Sequence, residues 1–286
     1  MSRLVDWLAG GLLITDGAWG TELQARGLDP GVAPDTWNLT HPERVEAVAR
    51  AYVDAGSQVI LTNTFRANAV AMEGDLEAIN RAGVAISKRA AGAGALVFAS
   101  IGPTGKMLMA GEIDEERVAD AFAAQAAALA AAGADALLVE TMSDIEEARL
   151  AVAAAKSTGL PVIVSFAFDS GKNKDRTMMG ATPEAVAAAM VEAGADAIGA
   201  NCGVGVEHAA PICRRMRAAC DLPIWIKPNA GLPKIEGTAI RYGTSAEFFA
   251  SHYAALREAG ASFLGGCCGS TPEFIRALVR ARCASS

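Results

Sequence analysis

Short apolar, β-branched runs alternate along the chain with longer alanine-rich segments whose apolar residues recur at helical spacing. Eight runs predict strands, at 12–16, 58–63, 96–101, 136–140, 162–168, 197–201, 224–227 and 263–265. Four of them follow near-identical lead-ins: Ala55-Gly56-Ser57, Ala132-Gly133-Ala134-Asp135, Ala193-Gly194-Ala195-Asp196 and Ala259-Gly260-Ala261-Ser262. The glycine in each suits the left-handed residue that ends a helix. Helix starts carry a cap residue near proline and an early acid, as in Thr40 ahead of Pro42-Glu43, Thr182-Pro183-Glu184 and Ser270-Thr271-Pro272-Glu273. The opening stretch, interrupted by Asp6 and lacking a cleavage site after a clean apolar core, predicts a short helix leading into the first strand.

Eight strand–helix units in 286 residues average about 36 residues each, close to a (β/α)₈ TIM barrel of roughly 250 residues. An open doubly wound sheet is the alternative. The barrel is preferred because no composition break or linker interrupts the rhythm, and because polar residues gather at one end of every strand. The expectation is a single α/β barrel over 1–286, with its site at the C-terminal strand ends.

Composition narrows the class. With 52% hydrophobic and 20% charged residues the chain is globular rather than disordered. A net charge of −7 without a basic stripe excludes nucleic acid and anionic membrane surfaces as natural partners. No run approaches the roughly 18 apolar residues of a membrane span. A cytoplasmic, reducing setting is expected. Cys202, Cys213, Cys220, Cys267, Cys268 and Cys283 all fall in the last third, which argues against a disulfide framework.

The predicted strand ends read Asp16, Asn63, Gly102, Glu140, Asp169, Asn201-Cys202, Asn229 and Cys267-Cys268. Cys202 sits in Gly199-Ala200-Asn201-Cys202-Gly203, and the cysteine pair in Gly265-Gly266-Cys267-Cys268-Gly269. Adjacent strand residues point to opposite faces, so both cysteines of the pair can serve one site only if the backbone turns, which the flanking glycines permit. Three thiolates around zinc leave a fourth position for water or substrate. Small buried residues or a redox pair are the other readings. Cys213, Cys220 and Cys283 fall in helical segments, and His41, His208 and His252 in helix or helix-start contexts; none is assigned to a metal. Asp16 and Glu140 either cap a helix or pair with a lysine, or together receive a substrate ammonium or act as acid and base. No GxGxxG or P-loop occurs; Gly102-Pro103-Thr104-Gly105 is an anion loop or a tight turn.

These residues also carry a resemblance. The segments DGAWGTELQARG from Asp16, TNTFRAN from Thr62, SIGPTGK from Ser100 and ETMSDIEEA from Glu140 resemble the homocysteine S-methyltransferase family. So do GANCG from Gly199, PNAGLP from Pro228 and GGCCGSTPEFIRAL from Gly265. Within the family the chain is most similar to the homocysteine-binding barrel of cobalamin-dependent methionine synthases, across nearly its whole length. The resemblance implies a (β/α)₈ barrel whose Cys202, Cys267 and Cys268 hold Zn²⁺, through which homocysteine is activated as a thiolate and methylated to methionine. It implies that Asp16 and Glu140 hold the amino group, with the loop at Gly17 orienting the amino acid. Asn63 and Asn229, at the ends of strands two and seven, join the expected substrate-binding set.

For the methyl donor, Thr141 stands where the betaine-using branch has tyrosine. The S-methylmethionine-using branch shares Glu140-Thr141 but lacks the PNAGLP and SIGPTGK forms. An Asp-x-His-x-x-Gly corrinoid signature is missing. The expectation is a free-standing barrel that takes its methyl from a corrinoid-binding protein in trans. S-methylmethionine or S-adenosylmethionine as donor, a non-catalytic zinc subunit presenting homocysteine to a larger complex, and redox-active cysteines are the alternatives.

Overall fold

The computed structural model describes residues 3–236 and 239–284. All eight predicted strands form: β1 Leu13–Ile14, β2 Val59–Leu61, β3 Leu96–Ile101, β4 Ala136–Met142, β5 Val162–Phe166, β6 Ala197–Cys202, β7 Ile224–Pro228 and β8 Ala261–Leu264. Each pairs in parallel with its sequence neighbours, and β8 returns to β1 through Leu13↔Phe263 and Ile14↔Leu264. A parallel bridge between Thr15 and Val59, with the Gln58 amide donating to the Ile14 carbonyl at 2.8 Å, joins β1 to β2 and closes the ring.

Alternation within the strands builds two packed layers. Leu13, Leu61, Phe98, Leu138, Ile163, Trp225 and Phe263 face inward and fill the barrel. Their neighbours Ile14, Ile60, Val97, Leu137, Val164, Ile198, Ile226 and Leu264 face the helices. Trp7, from the first helix Arg3–Leu8, lies 5.5 Å from Phe98, and Leu4 joins the same inner cluster. Hydrophobic side chains therefore occupy the N-terminal end, and polar chemistry is confined to the other.

The helix punctuation follows the sequence closely. Gly56, Gly133, Gly194 and Gly260 all take positive φ after their helices. Thr182 caps Pro183–Glu192 by accepting from the Ala185 amide at 3.2 Å. Thr40 does not cap: the turn Trp37–Thr40 runs up to His41, which takes the cap position of Pro42–Asp54, and the Thr40 hydroxyl donates to Thr36. Cys220 lies just beyond the helix Ala209–Ala219 in extended backbone rather than within it.

One element was not foreseen. Between β7 and β8 an antiparallel hairpin, Pro233–Glu236 with Ala239–Tyr242, rises from the mouth before the helix Ala246–Ser251. No helix among the described residues is long and apolar enough to cross a membrane.

Candidate functional site

The inner hydrophobic layer is followed, two residues further along each strand, by a polar one. Phe98 leads to Ser100, Leu138 to Glu140, Ile163 to Ser165, Gly199 to Asn201 and Trp225 to Lys227. Gly199 is required where it stands, because a methyl there would collide with the Trp225 backbone and Cβ. The Trp225 indole is the floor beneath the site, with the Lys227 ammonium 5.7 Å above its ring centroid.

The cysteines meet at the C-terminal mouth. Cys202 ends β6 at φ 58 and Gly203 follows at φ 71, so two consecutive left-handed residues turn the chain across the opening. Beyond β8, the Cys267 amide donates to the Pro228 carbonyl at 2.8 Å, and the Cys267 carbonyl accepts the Ser270 hydroxyl at 2.7 Å. Gly265 and Gly266 let this turn pass close to Thr15 and Ser270, where any side chain would collide. The Cys202 and Cys267 sulfurs lie 2.9 Å apart, and all three sulfurs fall within 4.8 Å of one another. Among the described residues this is the one cluster with metal-ligand geometry, and no histidine belongs to it.

Its electrostatics suit a cation. Burial and mutual contact push the Cys202 and Cys267 thiols up, while donors from Cys202, Cys267 and the Tyr242 hydroxyl hold Cys268 well below the usual thiol range. Three soft donors whose negative charges compete for one small volume are the set that takes a soft or borderline divalent ion such as zinc, where Zn–S of about 2.3 Å sets S···S near 3.8 Å.

Asn201 organises the wall between the thiols and β4. Its amide donates to Thr141 Oγ1 at 2.7 Å and reaches the Cys202 sulfur at 3.6 Å; its carbonyl accepts the Thr141 amide at 2.9 Å and the Ser165 hydroxyl at 2.7 Å. Thr141 is thereby held at φ 63, costly for a β-branched residue, beside a register shift in the β4–β5 pairing. That irregularity presents Glu140, whose Oε1 accepts the Ser100 hydroxyl at 2.5 Å. Burial pushes the Glu140 carboxyl up to about 7, against the pull of Lys227.

A pocket of about 340 Å³ opens over these groups, bounded by Gly17, Glu140, Lys227, Cys202, Cys267 and Cys268 among others. Glu140 and Gly17 line it as the sequence reading expects. Gly17 has no room for a side chain, because a Cβ would sit 2.7 Å from the Tyr52 hydroxyl. Asp16 does not line it. Fully buried, Asp16 pairs with Lys227 through Oδ1, and its Oδ2 accepts Trp19 Nε1 and the Leu61 amide, both at 2.7 Å. It therefore ties β1 to β2 and β7 instead of offering a free acceptor.

Asn63 reaches the pocket, but its amide donates to the Pro34 carbonyl at 2.8 Å and to Asn38 at 3.0 Å. Asn229 stands behind the cysteines, donating to the Gly203 carbonyl at 2.8 Å, and so braces the turn that carries Cys202. Asp169 is exposed and outside the pocket. In the Gly102–Gly105 segment the Thr104 amide and hydroxyl both donate to Glu147, at 2.7 and 2.6 Å, which makes it a turn closed on its own acid.

Asp35 also lines the pocket, 1% exposed, its Oδ1 accepting the Arg66 amide at 2.8 Å. Burial pushes its carboxyl up to about 6. Because the folded value lies above the unfolded one, burying this group becomes less favourable as pH rises from about 4 to about 6. Asp35→Asn keeps the acceptor and removes the charge. We expect it to be more stable than the parent by up to about 3 kcal/mol at pH 7 and indistinguishable at pH 4, by urea unfolding at both pH values.

Sequence reasoning passed over Lys227, Asn201 as an organiser, Ser100 and Tyr242. Lys227 had a signal: it is a lysine two residues beyond an inward tryptophan, and so shares its face. Tyr242 had none, because its position depends on the hairpin.

The sequence pattern described as Homocysteine S-methyltransferase matches residues 13–282. The methionine synthases of Mycobacterium leprae and Mycobacterium tuberculosis are each 30% identical to the chain, over 98% and 97% of it. The chain spans 25% of the length of each of these relatives. Among solved structures, the metallated form of the homocysteine methyltransferase MmuM from Escherichia coli matches with a TM-score of 0.81 at 23% identity, over 98% of this chain and 99% of that one. DHDPS from Cyanidioschyzon merolae with lysine bound matches at 0.53 and 13%, over 94% and 73%. At these identities the structural likenesses show the TIM-barrel fold.

Proposed function

The chain belongs to the homocysteine S-methyltransferase family, and we propose that it methylates homocysteine to methionine at a zinc site formed by Cys202, Cys267 and Cys268. The observation that carries this reading is the convergence of three thiols on a pocket that also presents the buried Glu140 carboxylate. Bound zinc would supply a Lewis acid that keeps the acceptor thiol ionised at neutral pH, where a free alkyl thiol with pKa about 8.5 is mostly protonated. The chain's own residues bind and orient. Glu140, fixed by Ser100, accepts the α-ammonium; Asn201 holds the cysteine turn and the Thr141 backbone in place; the β1 turn at Gly17 borders the amino-acid end. We read 1–286 as one barrel unit carrying this whole site.

For the donor we propose a methylcorrinoid protein acting in trans. The PNAGLP and SIGPTGK segments support this, as does the likeness to the mycobacterial methionine synthases. The match to nearly the full length of a chain named a homocysteine methyltransferase favours a second reading, a self-sufficient enzyme using a small sulfonium such as S-methylmethionine. The test is homocysteine methylation by the zinc-loaded protein with methylcobalamin, S-methylmethionine and betaine in parallel. Methionine from methylcobalamin alone supports the corrinoid reading, and turnover with S-methylmethionine supports the second. Turnover with none, while zinc and homocysteine both bind, leaves a homocysteine-presenting subunit and overturns independent catalysis.

Glu140→Gln keeps the Ser100 bond and removes the charge. Homocysteine affinity should fall about tenfold or more, the worth of a hydrogen bond to a charged group, with zinc content unchanged. Calorimetric titration and metal analysis check both halves.

A further inference from the structure

The pocket holds a cation of its own. Lys227 is 2% exposed, Asp16 is fully buried, and the two form an ion pair within the barrel mouth. A buried ammonium is tolerated only where opposite charge and hydrogen bonds compensate it, and Asp16 meets that need. The match is reciprocal. Asp16 Oδ2 already takes two donors, so Lys227 completes a carboxylate enclosed on both oxygens by the protein.

This arrangement bears on any acceptor that enters. Glu140 and Asp35 both border the cavity, whereas Asp16 faces Lys227 and is out of reach. Lys227 also borders the cavity, on the same lining as Glu140 and Cys267. An incoming ammonium therefore gains nothing from Asp16, whose charge Lys227 already offsets. We infer that Lys227 is a specificity-determining residue: as the internal counter-ion of Asp16 it lowers the weight of the acceptor's α-ammonium, so that the pocket also takes mercapto-carboxylic acids without an amino group. The inference rests on the thiol-acceptor function proposed above and names the wider class of thiols that this site admits.

The experiment compares homocysteine with 4-mercaptobutanoate, which differs from it by the amino group alone. Dissociation constants are measured by calorimetric titration on the zinc-loaded protein, on Lys227→Met, and on the neutral pair Asp16→Asn/Lys227→Met. The parent should prefer homocysteine by less than about 100-fold, the scale of one charge-assisted contact. Lys227→Met leaves Asp16 without a counter-ion and should increase that preference at least tenfold. The neutral pair should return to the parent ratio. A parent preference above 100-fold, or a ratio unmoved by Lys227→Met, overturns the inference while leaving thiol binding intact. If Lys227→Met does not fold, the parent and the neutral pair decide: the inference stands if both ratios lie below 100-fold and agree within threefold, and fails otherwise. Binding of neither thiol by a zinc-loaded, folded parent would overturn the functional reading and this inference with it.

Discussion

Replacing Cys268 by alanine should abolish stoichiometric zinc binding and methyl transfer together while the barrel stays folded. The cysteine is half-buried on the turn after β8 and belongs to neither hydrophobic cluster, so its loss removes no core packing. What it removes is one of three converging sulfurs and the partner of the Tyr242 hydroxyl. Two thiols and a pocket do not make a competitive zinc site when structural and catalytic sites use three or four protein ligands. Activity should therefore fall by more than the roughly 10- to 100-fold that loss of an outer-shell partner costs. Metal analysis, circular dichroism and an activity assay on one preparation check all three expectations. Full activity in a zinc-free Cys268→Ala protein would refute the thiolate site.

The second large effect is on stability. Lys227→Met should destabilise the fold by about 3–5 kcal/mol, because it leaves a fully buried carboxylate without its ion-pair partner. Asp16 accepts from β2 through the Leu61 amide and from Trp19, so the uncompensated charge sits at the seam where β1 and β2 close the barrel. Pairing the change with Asp16→Asn should recover most of the loss, since asparagine still accepts from Leu61 and Trp19 and no buried charge remains. Urea midpoints of the three proteins test this. A single variant as stable as the parent would mean that the pair is dispensable to the fold.

Much of this architecture is legible in the residues. Repeated Ala-Gly lead-ins mark helix ends because only glycine enters the left-handed region cheaply, and every one of the four does so. Strand periodicity places Glu140, Asn201 and the cysteines at one end because a barrel must bury its other inward residues. The bounds shift by a few residues where irregular backbone takes over. Cys202 extends β6 by one residue and turns at positive φ, and β4 runs on through Thr141 to Met142 around a register shift. Contacts between distant segments were not legible. That Asp16 faces a lysine 211 positions away, and not the cavity, depends on β1 lying across from β7, with β8 between them. The amides of Asn63 and Asn229 are likewise taken up by loop carbonyls that no local pattern announces. The hairpin bringing Tyr242 to Cys268 has a sequence without strand alternation strong enough to mark it.

The central claim is that Cys202, Cys267 and Cys268 hold a metal that receives the acceptor thiol. Zinc K-edge absorption on the loaded protein, without and with homocysteine, tests it most directly. The account predicts one zinc per chain bound by three sulfurs and one lighter atom, with a fourth sulfur replacing that atom when homocysteine is added. Sulfur coordination that homocysteine leaves unchanged, or zinc bound with fewer than three sulfurs, would contradict it.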